Sequence, residues 1–218
     1  NAACERHIPI LTLLPYQYID ALRPLRALTR RTPECRIEIT AVVAPYPGVN
    51  GWRLEEKRSG GGVLFDLGYH FVDLLSDIMG QPDSIEGVLG FLKGMEVENS
   101  AVVALQFETV RANLVLLCSS ECAPSVEVRI HRAGVPVECV RRPPRPSSSW
   151  PSAQDLVVSQ LREAFQSGFP YGLSPGLLKQ LQRQVRNIRI LEDIYNRAER
   201  VGHDEVIRKN AMLCGPKR

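Results

Sequence analysis

Four polar residues, Asp66, His70, Asp73 and Asp77, stand at i, i+4, i+7 and i+11 in the otherwise apolar stretch SGGGVLFDLGYHFVDLLSDIMG, residues 59–80. At 100° per residue this spacing places three carboxylates and an imidazole on one narrow face of a helix of about five turns. An imidazole with an ordinary pKa near ~6.5 can take up and release a proton at neutral pH, so His70 is the candidate general base. Asp66, one turn earlier, is placed to orient it or to bind a substrate hydroxyl. Asp73 belongs to the substrate side of the same face or stands behind it as a structural residue. The competing reading of the stripe is a solvated helix face. A metal bound by Asp, His and Asp is a third, for which no further ligand is identifiable.

Two features beside the stripe bear on the choice. Gly60, Gly61 and Gly62 lead into the helix, where successive glycines let main chain approach a ligand and leave N–H groups free at a positive helix end. Gly68 sits in mid-helix at a cost of ~1 kcal/mol against alanine, which predicts a close approach by another backbone. Upstream, Trp52-Arg53 offers an aromatic ring and a fork of donors suited to a carboxylate, phosphate or sugar hydroxyl. A surface ion pair of Arg53 with Glu55 or Glu56, and a packing role for Trp52, are the alternatives.

The elements that must position these residues follow from pattern. Residues 36–43 alternate Ile37, Ile39, Ala41 and Val43 against other residues, a strand with one buried face. Gly80-Gln81-Pro82 stops the helix. Residues 85–92, 97–107, 110–118, 126–131 and 135–140 read as an antiparallel meander, the last two strands joined at Arg132-Ala133-Gly134. A Pro/Ser-rich connection at 141–152 leads to a helix from Ala153 to Ser167 that buries Leu156, Val157, Leu161, Ala164 and Phe165, with Gly168 as its C-cap. Ser174-Pro175 opens another helix with Leu177, Leu178, Leu181, Val185, Ile188, Leu191, Ile194 and Ala198 on one side. Lys179, Arg183, Arg186, Arg189, Arg197 and Arg200 form its solvated side. Residues 204–218 read as a mobile basic tail. The fold class is α+β, an open, mostly antiparallel sheet with helices on one face.

Composition is that of an ordinary globular chain: 218 residues, 44% hydrophobic, 23% charged and net charge +3. The charge argues against electrostatic nucleic-acid binding, and no apolar run approaches the ~20 residues of a membrane span. Six cysteines, without a C-x-x-C pair, are expected to be reduced thiols in an intracellular compartment, the cytoplasm or an organelle. The chain begins at Asn1 and not at Met, which points to a fragment, a processed product or a chain whose beginning is absent.

Trp52-Arg53, a spacer, Ser59-Gly60-Gly61-Gly62, then Asp66, Gly68, His70 and Asp73 resembles the substrate domain of the glucose-fructose oxidoreductase, inositol dehydrogenase and rhizopine-catabolism (Gfo/Idh/MocA) family. The resemblance implies a connecting helix in residues 1–31, a substrate and dimerisation domain in 32–203 and a tail in 204–218. It implies an NAD(P)-dependent oxidoreductase acting on the CH–OH group of a sugar, inositol or related polyol, with His70 and Asp66 catalytic and Trp52, Arg53 and Asp73 on the substrate. Arg6, in Arg6-His7-Ile8-Pro9, matches an arginine that in family members lies near the cofactor. The family's G-x-G-x-x-G and its E-K-P lysine are absent from these residues, since Glu56-Lys57-Arg58 lacks the proline and is misplaced. NAD(P) then requires a dinucleotide-binding domain supplied elsewhere. The resemblance also implies a homodimer through the open sheet face. The alternative is an inactive family member serving as a structural or interaction subunit with another protein chain.

Overall fold

The computed structural model describes residues 14, 16, 19–45, 52–143, 151–166 and 175–209. Arg6, the beginning of the connecting segment, the caps at Gly168 and Ser174, and the last nine residues lie outside these.

Seven strands form one sheet: β1 (Cys35–Val43), β2 (Ser84–Phe91), β3 (Ser100–Phe107), β4 (Val110–Cys118), β5 (Ser125–Arg132), β6 (Val135–Arg141) and β7 (Glu199–Gly202). Their order is β6-β5-β1-β4-β3-β2-β7. The expected strand segments are all present, but not the unbroken meander. β2, β3 and β4 pair antiparallel in succession and β5 pairs with β6, whereas β1 enters between β4 and β5, parallel to the first and antiparallel to the second. The short β4–β5 connection therefore steps over a strand instead of making a hairpin. β7 was not expected; it pairs parallel with β2 and takes Arg200 out of the preceding helix.

Alternation decides which face is covered. Ile37, Ile39, Ala41, Ala101, Val103, Leu105, Leu114, Leu116, Val128 and Ile130 point to one side and are buried. Against them pack helix α3 (Tyr69–Met79), which continues from a π-helical turn at Leu64–Gly68, and helix α5 (Pro175–Arg197). Ahead of these lie the short α1 (Arg23–Arg26) and α2 (Glu56–Ser59), and α4 (Ala153–Gln166) falls between α3 and α5 in the chain. Residues His203–Lys209, expected as the start of a loose tail, form helix α6, whose Val206 is buried. A Cβ on Gly90 would meet Val206 at 2.7 Å and Ser100 Oγ at 2.3 Å, and Gly90 points away from the core neighbour Leu89, so α6 reaches the sheet's other face at its β2 edge.

α5 turns a different side to the core from the one its leucines suggest. Asn187, Ile190, Leu191 and Ile194 are buried, while Val185 is 53% exposed. Arg183 and Arg186 are not on a solvated face: they reach α3, the second donating to the Ser76 carbonyl at 3.0 Å. On α4, Leu156 is buried but Leu161 is exposed, and the buried polar residue is Gln160, whose side-chain oxygen accepts from the Leu14 N–H at 2.7 Å. α3 ends as expected at Gly80, which takes φ +79°, and Arg30 donates to the helix's last carbonyl, that of Met79, and to the Gln81 carbonyl just beyond it. Among the described residues no disulfide joins Cys35, Cys118, Cys122 or Cys139, and no helix is long and apolar enough to cross a membrane.

Candidate functional site

The helix that carries the polar stripe is not uniform. Its first turn, Leu64–Gly68, is π-helical, with one more residue per hydrogen-bonded ring than an α-turn. Asp66 lies inside that turn, so counting 100° per residue from Asp66 to Asp77 fails at the junction. The stripe accordingly divides into two environments.

Asp73 and Asp77 face α5. Asp73 is 2% exposed, accepts from Asn187 Nδ2 at 2.7 Å and pairs with Arg183 Nε at 2.9 Å; Arg183 also reaches Asp77 at 2.6 Å. Asn187 in turn accepts from the Ser76 hydroxyl at 2.5 Å. Burial pushes the Asp73 carboxyl upward and Arg183 and Asn187 pull it back. This is a buried polar seam between two helices, and it does not bring Asp73 to the same surface as Asp66.

Asp66 and His70 make the other environment. Asp66 is half-exposed, with Arg53 Nη1 3.9 Å from its Oδ1, and the Arg53 guanidinium also lies over the Trp52 ring at 5.4 Å. Trp52 is 48% exposed, which leaves its ring at the surface and not in the core. His70 lies flat against Tyr16, ring centroids 5.1 Å apart at 14°, with Tyr69 edge-on at 6.4 Å. Tyr16 meets Phe71 edge-to-face at 5.0 Å, which ties this aromatic group to the core. His70 Nδ1 is enclosed with no hydrogen-bond partner among the described residues. Burial lowers the His70 pKa from the usual histidine range, and the Asp66 charge works against that fall. The ring is thereby kept neutral near pH 7, the form a base needs, while Asp66 favours the imidazolium formed when it takes a proton. The structure thus brings Trp52, Arg53, Asp66 and His70 to one region, joins Tyr16 to them, and leaves Asp73 behind.

The glycine turn is full. Its expected free N–H groups are occupied: Gly60 donates to the Glu56 carbonyl at 2.9 Å, Gly61 to Ser59 Oγ at 3.3 Å, and Gly62 to Glu98, which has no counterpart in the sequence pattern. The Glu98 carboxylate accepts from Gly62 N–H and Leu64 N–H, each at 2.9 Å, its main-chain carbonyl accepts from Val63 N–H at 3.0 Å, and the Tyr195 hydroxyl donates to it at 2.8 Å. A Cβ on Gly62 would lie 2.0 Å from the Glu98 carbonyl oxygen, and one on Gly61 would lie 2.1 Å from the Tyr195 oxygen. These two glycines do permit a close approach, by the protein itself. Gly68 likewise, but to a side chain: its Cβ would fall 2.7 Å from Leu116 Cδ1 and 2.8 Å from Leu64 Cδ1, not against a backbone. No signal in the local sequence marks Glu98, because its partners are main-chain groups more than thirty residues away.

With Glu98 on them, the Gly62, Val63 and Leu64 N–H groups are not open to a dinucleotide phosphate. This turn does not fit a dinucleotide phosphate. No group of three or more His, Cys, Asp or Glu side chains is gathered to hold a metal ion among the described residues.

Residues 36–133, which run from β1 through β5 and include the glycine turn, Asp66 and His70, match the sequence model of the GFO/IDH/MocA C-terminal domain. The wider chain has the same fold as several solved structures. It is similar to GenD2 from gentamicin A biosynthesis in complex with NAD, at TM-score 0.64 and 18% identity over 90% of this chain and 63% of that one. It is similar to levoglucosan dehydrogenase in complex with NADH and L-sorbose, at TM-score 0.61 and 13% identity over 88% of this chain and 66% of that one. It is also similar to the WlbA (WbpB) dehydrogenase from Thermus thermophilus in complex with NAD and UDP-GlcNAcA, at 0.57 and 16% over 86% and 55%. The chain thus spans less than two thirds of each. No curated protein matches it in sequence. The match to the GFO/IDH/MocA C-terminal domain over residues 36–133 and the fold of these neighbours agree with the open, mostly antiparallel α+β sheet described above.

Proposed function

We propose that this chain is the substrate-side portion of an NAD(P)-dependent oxidoreductase acting on the CH–OH group of a sugar, inositol or related polyol. The observation that supports the reading best is the Asp66–His70 pair, a half-buried neutral imidazole with a carboxylate charge acting on it beside a surface-exposed arginine and indole. His70 takes the hydroxyl proton of a secondary alcohol as the C–H leaves as hydride and the C=O bond forms. Asp66 stabilises the resulting imidazolium, and Arg53 with Trp52 offers donors and a ring face to the polyol. A nicotinamide cofactor, held by a dinucleotide-binding domain outside the residues described, would supply the hydride acceptor for this step, and Arg6, which also lies outside them, is the proposed neighbour of that cofactor.

The face of the sheet opposite α3 and α5 is the proposed homodimer surface. At its β1/β5 centre it bears charges of both signs in mutual contact, Arg36 with Glu38 at 3.2 Å, Glu38 with His131 at 3.0 Å and Arg129 with Glu127 at 2.5 Å. Light scattering on the full native protein, with Arg129→Glu expected to weaken the dimer, tests that assembly.

Titrating NADPH and NADH into the full native protein while following tryptophan fluorescence tests the reaction class. Saturable quenching, followed by polyol oxidation that His70→Ala abolishes, is the expected outcome. A folded full-length protein that binds neither nucleotide would overturn the enzyme reading and leave the structural or interaction subunit in its place.

A further inference from the structure

Three consecutive main-chain N–H groups, those of Gly62, Val63 and Leu64, all end on one residue, Glu98. A helix start is ordinarily capped by a neighbouring Ser, Thr, Asn or Asp worth ~1 kcal/mol. Here the cap is a fully buried carboxylate from the loop before β3, which costs several kcal/mol to desolvate, as an order of magnitude. Local capping does not require so expensive a group. What a distant carboxylate adds is a fixed relation between the start of the helix and the sheet. The turn that it grips is the π-helical one. Asp66 follows Leu64 by two residues, with its own N–H bonded to the Gly62 carbonyl at 3.0 Å, and His70 follows one turn later. Tyr195, from α5, donates to the carboxylate oxygen that also serves Leu64, and its hydroxyl fills the space over Gly61.

We propose that Glu98, steadied by Tyr195, is a positioning residue for the Asp66–His70 pair: by holding the amino end of the π-turn it fixes how Asp66 faces the imidazole. The two carboxylate oxygens accept from residues 62 and 64, so they set both the position and the rotation of the turn. Relaxation to α-helical winding would rotate Asp66 relative to His70 while leaving α3 in place. The inference rests on reading Asp66 and His70 as the site, but its test follows the imidazole and not turnover, so it can fail while the oxidoreductase reading stands, and the reverse.

The groups facing His70 are Asp66, Tyr16 and Tyr69. Proton NMR of the full chain, with the His70 signal assigned by its loss in His70→Gln, gives the titration midpoint of this ring among the four histidines. In the parent protein Asp66→Asn lowers that midpoint, because it removes the charge that favours the imidazolium. In Glu98→Gln, which keeps the volume but turns an NH2 group toward one of the two backbone N–H donors, the same Asp66→Asn step shifts the midpoint by less than about half as much. Where Glu98→Gln does not fold, Tyr195→Phe takes its place, with a reduced Asp66→Asn shift again expected. A full-size shift in the folded variant, accompanied only by a lower melting temperature, would overturn the proposal and leave Glu98 as a cap.

Discussion

Replacing Gly62 with alanine sets a methyl carbon 2.0 Å from the Glu98 carbonyl oxygen and 2.9 Å from its carbon and nitrogen. All three are main-chain atoms, so no side-chain rotation relieves the clash. Ordinary contact requires a separation of 3.4 Å, and the loop before β3 must retreat from the helix by about 1.4 Å. The hydrogen bonds that close this junction are 2.9 to 3.0 Å long, and such a retreat breaks them. Two of them go to a carboxylate, at ~1.5–3 kcal/mol each, and one to a carbonyl at ~1 kcal/mol. Allowing for partial relaxation, Gly62→Ala is expected to destabilise by about 4 kcal/mol, in the far tail for single substitutions. Urea unfolding followed by far-UV circular dichroism measures it. Gly68→Ala is the informative comparison: it meets only the methyl ends of Leu116 and Leu64, and it gains ~1 kcal/mol of helix propensity, so its net cost is expected near ~1 kcal/mol. Gly202→Ala, with nothing within 4 Å, is expected to lie within ~0.5 kcal/mol of the parent. If Gly62→Ala proves no costlier than Gly202→Ala, the close junction between glycine turn and Glu98 is wrong.

Arg183→Met strands the Asp73 carboxylate between α3 and α5 with Asn187 as its remaining described partner, and a loss of about 3 kcal/mol in urea unfolding is expected. His70 has a folded pKa below its unfolded one, so the unfolded chain binds more protons between the two; this group's contribution is complete above pH ~6.5 and is lost as pH falls toward the folded value. Burial lowers His203 in the same sense, so stability between pH 7 and pH 5 should decline less steeply in His70→Gln and in His203→Gln than in the parent. For polyol oxidation the acidic limb of the rate profile is expected below pH ~6.5, and Asp66→Asn should move it lower still; a limb that rises with Asp66→Asn would contradict the assigned electrostatics.

Strand positions were legible because burial imposes a period of two on the residues themselves: Val126, Val128 and Ile130 alternate with Glu127, Arg129 and His131, and the strand lies where that alternation lies. Strand order was not, since nothing in residues 119–124 records that the chain passes over β1 before pairing. The Asp66–His70 pair could be found because i and i+4 stay neighbours across the π-turn, while Asp73 could not be assigned by the same count. Its environment is set by Arg183 and Asn187, more than a hundred residues later. Asn187 also explains the misread helix face. A polar residue in the middle of the buried side of α5 interrupts the apolar period, and Leu181, Val185 and Ile188 then suggest a core stripe that is half-exposed or exposed in fact. Glu98 carries the least sequence signal of all, since a carboxylate that caps a remote turn looks like any loop glutamate.

The central place of β1 has a bearing on how the chain acquires its shape during synthesis. Cys35 faces Val110 on one side and Ile37 faces Ile130 on the other, so both edges of this early strand wait for partners made 75 and 93 residues later. Until β5 has left the ribosome, β1 is an apolar strand with exposed hydrogen-bonding edges, and pairing with another chain competes with its own completion. Such long-range closure makes for a high contact order and slow folding, and nascent chains stalled before residue 132 are where aggregation or a need for chaperones should concentrate.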